Sequence, residues 1–422
     1  MALPPATGAR RARELETMNK QQSLKGTTMK KSIRLVLAAS LAGLPAAFVA
    51  QATAAEVAPG ALMLTVEDGT AEDLPVEVPP GYDATGTCSQ GLPGTVRLPD
   101  GEQRRVMVSA AHCLKGTEGV EGDVASLYVP MEDGNRLIAL PDRGEKATFT
   151  EGDHPLDPDY WFDTTPDWAT ADLAPDAEMT RVADSVDQYG RRHGEPVVLT
   201  GVRDYRDLEE GEVSFDNLGQ PICKDGATSG RTCGIQFMRT RNTLWSTNVG
   251  LPGDSGGVNF DPTTGEALGA STQSLLGLMM ATQPFDVALE EAYDIPDGQV
   301  NERFSLPEST EAHDPMLTTT EYGQRVEDWA QQEMPEQTQQ PAEPLTMEDA
   351  EQVALGNTMY AVGELRGQAQ DAANILAQDP TRVDAVAENA ATGAEILGGL
   401  AQETAQAYDE ALANLVFGEE EE

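Results

Sequence analysis

The sequence predicts an all-β domain followed by a helical hairpin. Short apolar segments, separated by turns rich in Gly, Pro and Asp, follow one another from Gly86 onward. No long helical pattern is needed before Pro284, where helical spacing appears and continues to Tyr293. Beyond a Gln- and Pro-rich stretch at 331–345, apolar residues recur every three or four positions, as on one face of a helix. These observations place the β-rich part before the helical part.

The N-terminal region has the composition of an export signal. Residues 29–31 supply positive charge, residues 35–50 are apolar, and the small residues at 52–54 are typical of a cleavage site. We therefore expect an over-extended start at 1–28, a signal peptide at 29–54 and a mature chain that begins with the next residue. Such a protein is secreted or held in the cell envelope. No later apolar run is long enough to predict a membrane span.

Acidic residues dominate the chain. Its formal net charge is −43, and the first 54 residues carry +6, which leaves −49 for residues 55–422. Such a surface repels nucleic acid and anionic lipid, so neither is an expected partner. The composition is typical of salt-adapted secreted proteins, and an ordinary acidic soluble protein fits it equally well. Residues 55–85 are acidic and Pro-rich, and we interpret them as an N-terminal arm or a pro-segment.

Three short motifs contain the residue types of an acyl-transfer site. In the GDSGG motif at 253–257, the glycines allow a tight turn that brings amide groups toward a developing oxyanion beside Ser255. His112 lies in the SAAHC motif at 109–113, and Asp167 opens the segment DWATADL. A serine hydroxyl needs an adjacent base, imidazole can take and return its proton, and a carboxylate can fix the imidazole tautomer. The three motifs together predict nucleophilic catalysis.

These motifs resemble those of the chymotrypsin/trypsin-like serine proteases, and in particular the bacterial streptogrisin-like branch. SAAHC is close to the TAAHC of that family, GDSGG is identical, and the similarity extends over about residues 86–295. The resemblance implies a catalytic domain of two six-stranded antiparallel β-barrels. It also implies Ser255 as the nucleophile, His112 as the general base and Asp167 as the orienting acid. The backbone amides of Gly253 and Ser255 would form the oxyanion hole.

Some candidate residues have alternatives. Asp172 lies on the same predicted strand as Asp167 and is the alternative orienting acid. No spacing of His, Cys, Asp or Glu indicates a metal site, and the predicted chemistry needs no cofactor. The remaining histidines have no matching motif and are expected at the surface: His154, His193 and His313.

The chain departs from the family pattern at three places. It has no Ile-Val-Gly-Gly activation sequence, which argues against activation by a new N-terminal amine that pairs with Asp254. By resemblance to the bacterial branch, an internal arginine that the sequence does not identify would balance Asp254. Val249 stands six residues before Ser255, where animal trypsin-like enzymes carry an aspartate. We therefore expect weak cleavage after Arg or Lys and a preference for apolar or small residues. The serine motif continues into Val258-Asn259 instead of the usual proline.

Four cysteines in an exported chain predict two disulfide bonds, and the count alone allows three pairings. The family resemblance favours Cys88 with Cys113 and Cys223 with Cys233. The first bond would fix the strand beside His112. The second closes a short loop whose pattern is similar to one in streptogrisins.

The C-terminal part is predicted to be separate from the protease domain. That domain covers residues 86–310, and a linker covers 311–345. A helical hairpin with a seam of small residues is predicted at 346–418, followed by an acidic tail at 419–422. The hairpin can pack on a partner helix, on a second copy or on the barrel. We expect it to lie outside the catalytic machinery.

The sequence thus predicts a secreted serine endopeptidase that acts on a protein or peptide substrate through an acyl-enzyme. By resemblance, the strand at 267–273 would pair with the substrate backbone. Two other functions stay open. The chain could be a catalytically silent binding module, although a decayed enzyme usually lacks one of the three catalytic residues and this chain has them all. It could also be an envelope structural protein that acts through its helical C-terminus.

Overall fold

The computed structural model describes residues 55–70, 76–119, 122–148, 165–275, 279–335 and 344–417. The predicted signal peptide at 29–54, His154 and the acidic tail at 419–422 lie outside these residues.

Strands dominate the described chain up to Ser305, and helices follow them. The strands are β1 (Glu56–Val57), β2 (Leu62–Glu67), β3 (Gly86–Ser89), β4 (Leu92–Arg97), β5 (Gln103–Ser109), β6 (Val124–Met131), β7 (Gly134–Pro141), β8 (Ala169–Leu173), β9 (Glu178–Met179), β10 (Val182–Ala183), β11 (Val197–Val198), β12 (Gly201–Val202), β13 (Pro221–Lys224), β14 (Thr232–Arg239), β15 (Leu244–Ser246), β16 (Val258–Phe260), β17 (Glu266–Leu275), β18 (Met279–Pro284) and β19 (Phe304–Ser305). The helices are α1 (Ala111–Leu114), α2 (Phe285–Tyr293), α3 (Val300–Arg303), α4 (Thr319–Glu333), α5 (Met347–Gln378) and α6 (Val383–Phe417).

Eight strands form one antiparallel sheet in the order β19-β4-β5-β8-β7-β6-β2-β3. Met107 of β5 and Ile138 of β7 are fully buried in the core on one side of it. The strands β3 and β4 are consecutive in the chain, and only Gln90 and Gly91 separate them. A Cβ on Gly91 would lie 1.9 Å from the carbonyl oxygen of Val108, so only glycine allows the two backbones to come this close.

The second large sheet contains a closed barrel. Its order is β12-β17-β16-β13-β14-β15-β18, and a further pairing of β17 with β18 closes a ring of six antiparallel strands. The disulfide between Cys223 and Cys233 joins β13 to β14, as the resemblance implied. Val258 and Phe260 of the barrel share one apolar core with Val106 of the first sheet. The two sheets therefore pack against each other.

The structure confirms an antiparallel β region and a helical C-terminal part. It does not confirm the second closed barrel that the resemblance implied, because the eight-stranded sheet is open, with β19 and β3 at its edges.

Two segments contain more structure than their composition suggested. Residues 55–85 contribute β2, which lies between β3 and β6 in the eight-stranded sheet. Residues 311–345, predicted as a linker, contain α4, which begins with a capping box at Thr318. The Tyr322 hydroxyl of α4 donates a hydrogen bond to the carbonyl of Gly81. The helix is held by a contact with a part of the chain that is distant in sequence, which local composition cannot reveal.

The long helices α5 and α6 form the predicted hairpin. A capping box between Thr346 and Asp349 starts α5. Small side chains form the seam between the two helices, where Ala350, Ala407 and Ala411 are buried. Within the residues that the structure describes, no helix combines the length and apolar character needed to cross a membrane.

Candidate active site

His112 lies in the single helical turn α1, directly after β5. Its neighbour Cys113 forms a disulfide with Cys88 of β3, the pairing that the resemblance implied. Asp167 accepts two hydrogen bonds from His112, at Oδ1 from the backbone N–H (3.0 Å) and at Oδ2 from Nδ1 (2.8 Å). The backbone N–H of Asp167 donates in turn to Oε1 of Gln283 at 3.0 Å. A proton held on Nδ1 leaves Nε2 as the basic nitrogen of the imidazole ring.

Asp172, the alternative acid, has a different partner. It lies on β8 and forms an ion pair with Arg104. The same guanidinium contacts Asp142 at 3.2 Å. Because Asp172 is engaged in this pair and Asp167 binds the imidazole, the geometry favours Asp167 as the orienting acid.

The turn that carries Ser255 packs against the segment around His112. Gly256 has a φ of +81°, and a Cβ on it would lie 2.4 Å from Oγ of Ser109 and 3.5 Å from Sγ of Cys113. Glycine is therefore required for this approach. The Ser109 hydroxyl also donates to the Gly256 carbonyl at 3.2 Å. Ser109 and Cys113 flank His112, so the structure brings the SAAHC and GDSGG motifs into direct contact.

Ser89 of the first sheet holds the same turn from the other side. Its N–H donates to the Ser255 carbonyl at 2.8 Å, and its hydroxyl donates to the Gly253 carbonyl at 2.8 Å. The backbone N–H of Ala227 donates to that hydroxyl at 2.8 Å. In the part of the chain that the structure describes, the N–H groups of Gly253 and Ser255 have no hydrogen-bond partner. Two such amides on a fixed turn match the arrangement expected of an oxyanion hole.

Asp254, beside the candidate nucleophile, is buried and paired with a lysine. Nζ of Lys224 lies 2.8 Å from Oδ2 of Asp254. Asp254 also accepts hydrogen bonds from the backbone N–H groups of Thr228 at 3.1 Å, Ser229 at 2.9 Å and Leu251 at 2.8 Å. These bonds offset the cost of burying the charge, and they tie the segment 224–229 and the residue Leu251 to the serine turn.

The expectation of an internal arginine at Asp254 was wrong. Arg231, which lies in the same region, makes a bidentate pair with Asp225 through Nε at 2.7 Å and Nη2 at 2.5 Å. Lys224 reaches Asp254 because it ends the buried strand β13, next to the disulfide that joins β13 to β14. The sequence does contain a signal that we missed. Residues 55–422 have only three lysines, and one of them directly follows a cysteine in a predicted disulfide.

Several neutral side chains lie around Val249 and Gly250, just before the serine turn. Val249 is buried, and its carbonyl accepts a hydrogen bond from Oγ1 of Thr232 at 2.6 Å. A Cβ on Gly250 would lie 3.2 Å from Sδ of Met280 and 3.4 Å from Cβ of Ser274. The side chains of Val249, Thr232, Met280 and Ser274 are all uncharged.

The strand β17 has an open edge beside the serine turn. The Ser271 carbonyl accepts from the N–H of Gly256 at 2.8 Å, and the Ser271 N–H donates to the carbonyl of Gly257 at 2.9 Å. From residue 272 to 275, β17 pairs only with β18 among the described strands. The free edge thus begins where the strand leaves the turn, within the segment 267–273 that the resemblance assigns to substrate binding.

His193 is buried, which corrects the expectation that it lies at the surface. Its two ring nitrogens each lie 2.9 Å from a carboxylate, that of Asp187 at Nε2 and that of Asp371 at Nδ1. Burial lowers the pKa of His193, but the bonds to the two carboxylates outweigh this effect and raise it to about 9. The imidazolium donates to both partners. His313 also has a partner, Asp184 at 3.1 Å.

The described residues contain two groups of three potential metal ligands with ligand atoms within 4.8 Å of one another: Cys88, His112 and Cys113, and Asp204, Glu290 and Asp297. The cysteines of the first group are joined in a disulfide and offer no thiolate. In the second group, burial and the neighbouring carboxylates raise the pKa of Glu290 to about 8. Glu290 therefore keeps a proton at neutral pH.

Comparisons with known proteins give structural matches only. No protein-family model matches the chain, and no curated protein matches it. Among solved structures, Nocardiopsis protease (NAPase) matches with 16% identity over 57% of this chain and 97% of that chain, at a TM-score of 0.34. Thermobifida fusca protease A matches with 17% identity over 56% and 96%, at 0.33. Cellulomonas bogoriensis chymotrypsin matches with 15% identity over 56% and 95%, at 0.32. At these values the matches assign no family, and the geometry of the site carries the functional proposal.

Proposed function

We propose that the protein is a chymotrypsin-like serine endopeptidase that hydrolyses peptide bonds through an acyl-enzyme. The observation that carries the proposal is the 2.8 Å bond between His112 Nδ1 and Asp167 Oδ2, formed against the turn that presents Ser255. The contact between Ser109 and Gly256 supports the same arrangement, because it joins the histidine and serine segments directly.

Each proposed role follows from the chemistry of the residue. Nε2 of His112 takes the hydroxyl proton as Ser255 attacks the scissile carbonyl, and Asp167 stabilises the resulting imidazolium. The N–H groups of Gly253 and Ser255 donate to the oxyanion of the tetrahedral intermediate. His112 then protonates the leaving amine, and water repeats the sequence on the acyl-enzyme. The free edge of β17 beyond Ser271 would pair with the substrate backbone.

The proposal includes activity without a newly formed N-terminal amine at Asp254. Lys224 already supplies the cation, and three backbone amides hold the carboxylate. The serine turn is therefore braced from within the chain. A mature protein whose activity persists after acetylation of its N-terminal amine would agree with this assignment, and loss of activity on that acetylation would contradict it.

We extend the proposal to the fold by counting β3 and β4 as two halves of one strand. Only Gln90 and Gly91 separate them, β3 pairs with β2, and β4 pairs with β5. With β2, β5, β6, β7 and β8, this interrupted strand would complete a second six-stranded barrel. An experimental structure in which β3 and β4 diverge would overturn this interpretation.

We propose that the protein acts outside the cytoplasm, with a mature chain that starts at Ala55. The two disulfides support an oxidising compartment. N-terminal sequencing of protein recovered from the growth medium or the cell envelope tests the position of cleavage, and an intact N-terminus on protein that stays in the cytoplasm would refute it.

A fluorophosphonate probe tests the catalytic proposal directly. Mature protein should be labelled at Ser255, and the Ser255→Ala variant should not be labelled. Labelling that persists in the alanine variant would refute Ser255 as the nucleophile. A folded protein that reacts with no probe and cleaves no peptide ester would favour the silent binding module.

A further inference from the structure

The helix α5 contacts the segment that leads into the serine turn. Leu251 is largely buried and lies on Gly363, where an added Cβ would be 3.0 Å from Cδ1 and 3.1 Å from Cδ2 of the leucine. The Tyr360 hydroxyl lies 3.5 Å from the carbonyl oxygen of Pro252. A guanidinium nitrogen of Arg366 on the same helix donates to the carbonyl of Thr247. The helix thus engages both ends of the segment 247–252.

A second set of contacts anchors the next turns of α5. Arg191 donates two hydrogen bonds to the carboxylate of Glu364, from Nη1 at 2.9 Å and from Nη2 at 2.8 Å. Asp371, two turns further along the helix, accepts a hydrogen bond from Nδ1 of His193 at 2.9 Å. Oε1 of Gln370 accepts from the backbone N–H of Cys233 at 2.9 Å. Cations are scarce in this acidic chain, and two of them meet carboxylates of α5 in partly or fully buried positions.

We propose that α5 is a positioning element of the proposed active site, which holds the segment 247–252 in the conformation that forms the substrate pocket and the oxyanion hole. This inference rests on the proposed protease function. It departs from the expectation that the hairpin lies outside the catalytic machinery. The segment contains Val249 and Leu251, and it ends one residue before Gly253, the proposed oxyanion donor.

The contacts act on two separable properties of the site. The proposal assigns Leu251 to the wall of the substrate pocket, so a shift of this residue should change the affinity for a substrate side chain. The Pro252 carbonyl accepts from Thr228 Oγ1 at 2.8 Å and lies beside Tyr360, so these contacts fix the peptide unit that bears the Gly253 amide. Because a misplacement of about 1 Å can cost about 10²-fold in rate, small movements here have large effects.

The glycines of α5 provide a matched test in the full-length chain. Gly363→Ala places a methyl group against Leu251, whereas Gly367→Ala, one turn further on, meets nothing within 4 Å. Both changes replace a helical glycine by alanine. We expect Gly363→Ala to lower kcat/KM for a peptide ester about tenfold, with a larger rise in KM for a substrate with a bulky apolar side chain before the scissile bond than for one with glycine there. Gly367→Ala should stay close to the parent protein.

Hydrogen exchange gives a readout that does not depend on activity. Amides of residues 247–254 should exchange faster in Gly363→Ala than in Gly367→Ala, and faster still when Glu364→Gln and Asp371→Asn are combined. Equal exchange and equal kinetics in the two alanine variants would overturn the inference. An enzyme that Ser255→Ala inactivates, but that does not respond to Gly363→Ala, would refute only the role of α5. Parent protein and Ser255→Ala with the same esterase activity would refute the protease proposal itself.

Discussion

Nζ of Lys224 lies 2.8 Å from Oδ2 of Asp254, and at most 2% of either side chain is exposed. This ion pair is directly adjacent to Ser255 in the chain. Because the pair is excluded from water, each charge depends on the other, and the removal of one leaves an uncompensated charge in the interior.

We therefore expect Lys224→Met to lower the free energy of unfolding by about 3–5 kcal/mol and to reduce labelling of Ser255. Lys146→Met is the control, because 28% of Lys146 and 81% of its partner Asp123 are exposed, and such a pair contributes about 1 kcal/mol or less. Urea denaturation of both variants measures the difference. Similar losses in the two variants would show that the buried pair is not a special constraint.

Asp167→Asn should reduce kcat by about 10⁴-fold, because the amide can no longer hold the imidazole in the required tautomer and stabilise its charged form. Asp172→Asn should change kcat only a few-fold, since that carboxylate pairs with Arg104 and not with His112. Both reactions are followed with a small peptide ester. If Asp172→Asn were the more damaging change, the assignment of the orienting acid would have to be reversed.

The stability of the protein should fall between about pH 6.5 and pH 9. The bonds of His193 to Asp187 and Asp371 outweigh its burial and raise its pKa from 6.5 to about 9. Its stabilising effect is complete below pH 6.5 and is lost as the pH rises through about 9. Burial opposes the charges of Arg191 and Glu364, but their mutual hydrogen bonds outweigh it, so the pKa of Arg191 is raised, that of Glu364 is lowered, and the pair stays charged in this range.

Glu290 also makes the protein less stable as the pH rises, and it does so over a wider pH range. Burial and nearby carboxylates raise its pKa from 4.5 to about 8. The contribution of protonated Glu290 to folding stability is complete below pH 4.5 and is lost as the pH rises through about 8. Thermal melting across pH should show Tm falling from pH 6.5 to 9, and His193→Gln should flatten the fall. If Tm falls just as steeply with pH in the His193→Gln variant, His193 is not the cause of the pH dependence.

Cleavage after Arg or Lys should be at least about tenfold weaker, in kcat/KM, than cleavage after apolar or small residues, because a buried cation without a partner is costly. Val249, Met280 and Ser274 provide no charge for it. A peptide-library cleavage profile of the mature protein checks this directly. A profile dominated by Arg and Lys would mean that an acidic side chain reaches the pocket from elsewhere.

The candidate site was more predictable from the sequence than its supports. The SAAHC and GDSGG motifs place His112 and Ser255 in short segments, and the family resemblance added Asp167 as the third candidate. The structure brings the three segments together. The partner of Asp254 was missed because it depends on how β13 lies against the serine turn. Long-range packing, which leaves little trace in local composition, determines that contact.

Long-range packing also explains the parts of the fold that the sequence did not predict. Only the end of the helix α4 overlaps the Gln- and Pro-rich stretch at 331–345, and its Tyr322 hydroxyl bonds to Gly81, which is far away in the sequence. The docking of α5 depends on Gly363, whose missing side chain makes room for Leu251. A glycine in a helix reduces the local helical signal, so the residue that makes the contact close is also one that weakens the pattern from which the helix was predicted.

The contact of Ser89 with the serine turn has a consequence for the order in which the protein folds. Its hydroxyl holds the Gly253 carbonyl across a sequence separation of 164 residues, and contacts of this range form late in a folding reaction. A refolding chain should recover its strand content, followed by circular dichroism, before Ser255 regains reactivity toward a fluorophosphonate. Simultaneous recovery would contradict this order. If the proposed protease function holds, the delay would leave a half-folded chain unable to digest itself or its neighbours.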